Sequence, residues 1–305
     1  MMSSGRKFSR ESNNFCEKRK SAMKNQSLLL MLIFITTSLC VAHDFEEKQE
    51  IRKTLRFQGS GEKRTILVDN IRGSIDVRGY DGDSVELVVH RTNFAESEDK
   101  LEEAKTSVIL DIKEEKDRVL LYVEAPWRTS EGINYRGWHY YGYDVECDFE
   151  LRVPVKANLY VKTVNDGDIT VKDIWGEYEV QNVNGGIEME NIIGSGKACT
   201  VNGPVRVKFS RNPDKDCKFK TVNGKVDVEF PDDLAADLNL KTFNGNVYTD
   251  FDVVGLPRKA LGFESRGNRK VYMSDKSFSV RVGKGGPELS FDTLNGNVHI
   301  LKRED

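Results

Sequence analysis

Thr221-Val222-Asn223-Gly224-Lys225-Val226-Asp227-Val228 is the clearest copy of a motif that recurs through the second half of this 305-residue chain. Other copies read Asn182-Val183-Asn184-Gly185-Gly186-Ile187, Thr200-Val201-Asn202-Gly203-Pro204-Val205, Thr242-Phe243-Asn244-Gly245-Asn246-Val247 and Thr293-Leu294-Asn295-Gly296-Asn297-Val298-His299-Ile300. Thr163-Val164-Asn165-Asp166-Gly167 carries an inserted Asp, and Asn70-Ile71-Arg72-Gly73-Ser74-Ile75 is a degenerate early copy. From Gly167 the glycines step by 18, 18, 21, 21 and 51 residues.

Each copy reads as strand, sharp corner, strand. Asn and Gly tolerate backbone conformations that bulky residues avoid. After the glycine, apolar residues recur at every second position, as in Val205 and Val207, Val226 and Val228, Val298 and Ile300. That is the period of a strand with one buried face. Before the corner, Val161, Val180, Phe219, Leu240 and Phe291 share a phase with Leu159, Tyr178, Cys217, Leu238 and Leu289. Two architectures use such copies: antiparallel hairpins with Asn-Gly as a two-residue turn, and a solenoid with Asn-Gly at the corner of each coil. A near-constant step with the same residue types at the same place favours the solenoid, because stacked coils place like over like. The expected fold is therefore all-β, a single-chain β-helix of 18–21-residue coils. The Asn positions would form one ladder and the Thr positions another.

The repeated Thr-Val-Asn-Gly-x-Val-x-Val, the early copy Asn70–Val77, the entry Leu151-Arg152-Val153-Pro154 and the closing Gly285-Gly286-Pro287-Glu288-Leu289-Ser290 resemble the bacterial putative-adhesin family. The resemblance covers about residues 50–301. It implies an exported protein built on a β-helix, and it brings no catalytic residues. Asp166 and the long excursion 251–284 depart from the pattern.

Outside the repeat the chain divides by composition. Residues 1–42 hold seven basic and two acidic side chains, which leaves −8 on the remainder against a whole-chain charge of −3. The basic stretch runs into Leu28–Ile35 and then Thr36-Thr37-Ser38-Leu39-Cys40-Val41-Ala42, the layout of a secretory signal peptide, with Met23 as an alternative start. The apolar run is shorter than the roughly 20 residues of a spanning helix. Lipidation at Cys40 is disfavoured by the preceding Thr37-Ser38-Leu39. The expected location is secreted, periplasmic or on the cell envelope. Membrane contact would come only through the signal segment or such an anchor. Residues 43–160 read as an N-terminal β region containing a short charged helix over 94–105, with Ser97 as its cap. Residues 161–301 read as the repeat.

Residues 127–143 are dense in aromatics. Tyr141 and Tyr143 continue the alternation of the strand through Val145, Cys147, Phe149 and Leu151, on its apolar face. That leaves Trp127, Tyr135, Trp138 and Tyr140 as candidate ligand-binding residues. Flat rings with polar edges anchor interfaces and sugars, although aromatics also simply cover cores. A glycan or an envelope protein is the expected partner. Near-balanced charge removes the basic footprint of a nucleic-acid binder.

Catalytic groupings are missing from the sequence. His43, His90, His139 and His299 are far apart and form no metal-binding spacing. There is no phosphate loop or nucleophile elbow. No cofactor and no metal are expected. Asp168, Asp227, Glu188, Glu190 and Asp250 fall on outward strand positions. A polysaccharide-active enzyme, the alternative function, would need two such carboxylates in one cleft. Cys147, Cys199 and Cys217 follow the signal segment, and three thiols cannot all pair. Export would permit one disulfide among them, while Cys147 and Cys217 sit at apolar positions that suit buried free thiols.

Overall fold

The computed structural model describes residues 45–59, 63–129, 132–133, 141–257, 263–266, 269–272 and 277–303. The expected signal segment lies outside them.

Two large sheets face each other across a common core. The ten-stranded sheet runs from edge to edge as Phe45–Arg56, Ser84–Ala95, Tyr143–Pro154, Ile75–Tyr80, Ile169–Lys172, Ile187–Ile192, Val205–Phe209, Val226–Phe230, Val298–Lys302 and Val247–Thr249. The eleven-stranded sheet runs as Val253–Gly255, Phe278–Val282, Ala236–Asn244, Glu288–Asn295, Cys217–Lys220, Gly196–Cys199, Tyr178–Gln181, Asn158–Lys162, Thr65–Asp69, Arg118–Glu124 and Ile109–Glu114. Through the repeat the chain alternates between the two sheets. Every repeat strand pairs in parallel with the equivalent strand of the next layer. The hairpin alternative is thereby overturned, since a two-residue turn joins only antiparallel neighbours. The result is all-β and solenoid-like, with one helix among the described residues.

Stacking order departs from chain order at the end. Phe291 pairs with Phe219 on one side and Leu240 on the other, while Val298 lies between Val226 and Val247. The last copy of the motif is inserted between the fourth and fifth full copies. Before it returns, the excursion lays Phe278–Val282 antiparallel against Ala236–Asn244.

The inward positions are those the alternation selects. Leu159, Val161, Tyr178, Val180, Cys217, Phe219, Leu238, Leu240, Leu289 and Phe291 are all buried. Parallel stacking brings like onto like: the Phe209 and Phe230 rings stack at 5.0 Å, and Phe219 lies 5.2 Å from Phe291. Each such ring removes about 1.5–3 kcal/mol worth of apolar surface from water.

The N-terminal part extends the same sheets with long antiparallel strands. Phe45–Arg56 pairs with Ser84–Ala95, which pairs with Tyr143–Pro154. The helix spans Glu98–Ser107 rather than 94–105. Phe94 and Ala95 instead finish the strand opposite Asp144 and Tyr143. The Ser97 hydroxyl accepts from the Lys100 amide, so the helix begins after it. At the other end of the helix, buried Arg91 donates to the Ala104 carbonyl at 3.1 Å and to Asn93 at 2.9 Å, tying helix to sheet. No helix among the described residues is long and apolar enough to cross a membrane.

Candidate interaction surface at the Asn-Gly edge

The four residues of the motif have four separate tasks, three of them directed at the adjoining layer. The Asn amides form a continuous ladder. Asn184 donates to Asn165, Asn202 to Asn184 and Asn223 to Asn202, each at 2.8 Å; Asn295 donates to Asn223 at 2.7 Å and Asn244 to Asn295 at 2.8 Å. The Thr hydroxyls point inward and donate to glycine carbonyls of the adjoining layer: Thr163 to Gly73, Thr200 to Gly185, Thr221 to Gly203, Thr293 to Gly224 and Thr242 to Gly296, at 2.8–3.1 Å. Asn182 stands where other copies carry Thr, and its side-chain amide reaches the Gly167 carbonyl at 2.9 Å in the same way.

The glycines allow this close stacking. A Cβ on Gly185, Gly203, Gly224, Gly245 or Gly296 would overlap the carbonyl of the glycine in the adjoining layer. Their requirement is therefore close contact with the next layer rather than left-handed backbone. Gly203 has φ 159°, close to extended, and Gly224 is not among the positive-φ glycines. Left-handed residues mark other places. The inserted Asp166 has φ 51° and pairs with Arg72 at 3.1 Å. At the opposite corner Asp173 and Asn191 have φ 61° and 56°, and their side chains hydrogen-bond to each other.

The remaining motif position faces outward. Val183, Val201, Val222, Leu294 and Phe243 make an apolar column beside the amide ladder. Exposure rises to 45% at Leu294 and 57% at Phe243. At that end Val222, Leu294 and Phe243 line a groove of about 420 Å³, flanked by Lys220, Lys241 and Asp292. A run of exposed apolar side chains on a rigid ladder is the kind of surface that marks binding. Reading the sequence by strand phase missed this column. The signal was present, since the residue between Thr and Asn is apolar in every copy yet lies at a corner.

Two of the five outward carboxylates, Glu190 and Asp227, are answered by cations, as is Glu229. Glu190 pairs with Lys172 at 2.7 Å and Glu229 with Lys208 at 3.5 Å. The Lys172 ammonium hydrogen bond holds the Glu190 carboxyl below its ordinary range. Asp227 meets Lys225 at 2.6 Å, Arg206 at 3.8 Å and the His299 Nδ1 at 2.6 Å, with the Tyr248 ring 5.1 Å from His299. The Asp227–His299 pair joins residues that sequence reading kept apart.

Of the aromatic candidates, Trp127 is half-buried against Tyr141 at 5.2 Å and Tyr143 at 6.0 Å, packed on the core. Tyr135, Trp138 and Tyr140 lie outside the described residues. Cys147, Cys199 and Cys217 are free thiols. Burial pushes Cys147 up to about 12 and raises Cys217 as well, which suits inert packing. No grouping of three or more metal-ligating side chains occurs among the described residues.

No curated protein matches the chain. Among solved structures, a "putative cell adhesion protein" from Clostridium sporogenes ATCC 15579 is similar at 11% identity and TM-score 0.38, covering 84% of this chain and 100% of its own. A "Putative lipid binding protein" from Parabacteroides distasonis ATCC 8503 is similar at 10% identity and TM-score 0.23, covering 86% and 98%. Over residues 145–282, the stretch that holds five of the stacked motif copies, the chain matches the family model Toastrack DUF4097.

Proposed function

We propose that the protein is an exported, non-enzymatic β-helix whose Asn-Gly edge binds an extended partner, in the manner of an adhesin. The observation that carries this reading is the exposed column ending in Leu294 and Phe243 beside the amide ladder. Asn184, Asn202, Asn223 and Asn295 each spend one N–H and one lone pair within the ladder. A second N–H and a second lone pair remain for a ligand. Apolar faces next to fixed polar groups suit a glycan, whose rings present C–H faces and hydroxyl edges. The pairing of Glu190 with Lys172 and of Asp227 with Lys225 and Arg206 supports a binding role over hydrolysis, which needs two carboxyl groups with free oxygens on one cleft. The signal-like residues 1–42 support an envelope or extracellular setting.

The test applies labelled exported protein to immobilised glycans. Loss of binding in Phe243→Ser/Leu294→Ser, with an unchanged thermal midpoint, supports the edge as the site. Undiminished binding in that variant transfers the role elsewhere, with Trp127→Ala/Trp138→Ala asking whether the aromatic loop takes it. Turnover of a polysaccharide, abolished by replacing one outward carboxylate, overturns the non-enzymatic reading.

A further inference from the structure

Phe45–Arg56 is the outermost strand of the ten-stranded sheet and pairs along its whole length with Ser84–Ala95. Among the described residues no strand lies on its other side. Every second residue therefore directs its N–H and C=O outward, ready to pair. At twelve residues it is long for an edge, against three for Val247–Thr249 at the opposite end of the same sheet. It contains no proline, and its register with Ser84–Ala95 is unbroken by a bulge.

Its charges are mixed, three acidic against four basic. A guarded edge carries charges that repel an incoming copy, Lys above all. Here Phe45, Ile51 and Leu55 face the core, while Glu46, Lys48, Glu50 and Arg52 alternate in sign along the exposed face. Glu46 already holds Lys48 at 2.8 Å, and Glu50 holds Arg52 at 2.5 Å. Antiparallel pairing of two such strands about a twofold axis at Gln49 sets Glu46 opposite Arg52 and Lys48 opposite Glu50. All four of these outward-face charges of each copy then meet an opposite charge, while on the core-side face Glu47 lies opposite Ile51 and Lys53 opposite Phe45. Sliding the axis to Glu50 brings Lys48 against Arg52 and Glu50 against itself. The charges of the outward face are self-complementary in one register and self-repelling in the next, where the core-side face gains only Glu47 opposite Lys53.

We propose that two copies of the chain associate edge to edge through Phe45–Arg56, antiparallel and centred on Gln49, so that one sheet runs through both. Such an interface is isologous, each copy presenting the same strand.

Sedimentation of the exported protein over a wide concentration range should show a monomer–dimer equilibrium. In Lys48→Glu/Arg52→Glu, and separately in Glu46→Lys/Glu50→Lys, four cross-strand attractions become repulsions, and dimerisation should weaken about tenfold or more. Mixing the two variants should restore a dimer containing one copy of each, which a folding defect cannot do. Gln49→Cys should cross-link under mild oxidation, because a residue on the axis faces its own copy at about 4.5–5.5 Å between Cα atoms. A wild-type protein that stays monomeric up to hundreds of micromolar, a dimer indifferent to both charge variants, or cross-linking through Ile51→Cys in place of Gln49→Cys would each overturn the proposal.

Discussion

The Thr221 hydroxyl donates to the Gly203 carbonyl at 2.8 Å, joining two layers whose motif copies are 21 residues apart in the chain. Thr221 is almost fully buried, so this hydroxyl has no water to fall back on. The same bond recurs between Thr and Gly columns through the stack, which makes the Thr of the motif an interlayer fastener.

Thr221→Val keeps the shape and deletes the donor, leaving a buried carbonyl with one partner fewer. The expected loss is about 1–3 kcal/mol, and Thr221→Ser should recover most of it. Urea unfolding of the three proteins checks this. Equal midpoints would show that the Thr column contributes packing alone.

Gly224→Ala places a methyl group against the Gly203 carbonyl in a stack that cannot open locally. The variant should lose roughly 1–3 kcal/mol or more, as overpacking does. Gly255→Ala is the matched control, because a Cβ there meets nothing within 4 Å. Thermal midpoints that fall equally in both variants would count against close approach as the cause.

Position along the amide ladder should set the cost of losing one Asn. Asn202 bonds to both Asn184 and Asn223, whereas Asn244 ends the ladder with a single amide bond to Asn295. At about 0.5–1.5 kcal/mol per bond, Asn202→Ala should destabilise about twice as much as Asn244→Ala. A larger effect at Asn244 would contradict the ladder as an additive structure.

The excursion should loosen in acid. Two bonds of 2.7 Å from Arg281 to the Asp237 carboxylate clamp Phe278–Val282 to Ala236–Asn244, and the guanidinium holds that carboxyl below its ordinary value. A depressed folded-state value gives stability that is present above the unfolded value, about 3.9, and lost as pH falls through the folded one. Wild type should therefore lose stability below about pH 4 more steeply than Asp237→Asn. Parallel pH profiles in urea unfolding would remove this pair from the acid response.

Much of this molecule was legible because its information is local and repeated. The spacing of Gly185, Gly203 and Gly224 revealed the coil, and the alternation around Val205 and Val226 revealed which side is buried. Ser97 marked the helix cap, yet the helix start moved because Phe94 and Ala95 pair with a strand about fifty residues away, where sequence windows do not reach. The glycines were recognised as corners for an incomplete reason, since the neighbouring carbonyl that excludes a side chain belongs to another coil.

Amino-acid order alone determined the solenoid-like class, the inward face of each arm and the alignment of like residues in columns, because a periodic pattern of apolar side chains has few ways to bury itself. Tertiary structure decided the stacking order. The copy at 293–300 enters between those at 221–228 and 242–249, which creates the Asp227–His299 pair and the groove between Val222, Leu294 and Phe243. Nothing local encodes that insertion, because every layer offers nearly the same backbone edge and the choice rests on where the excursion returns the chain.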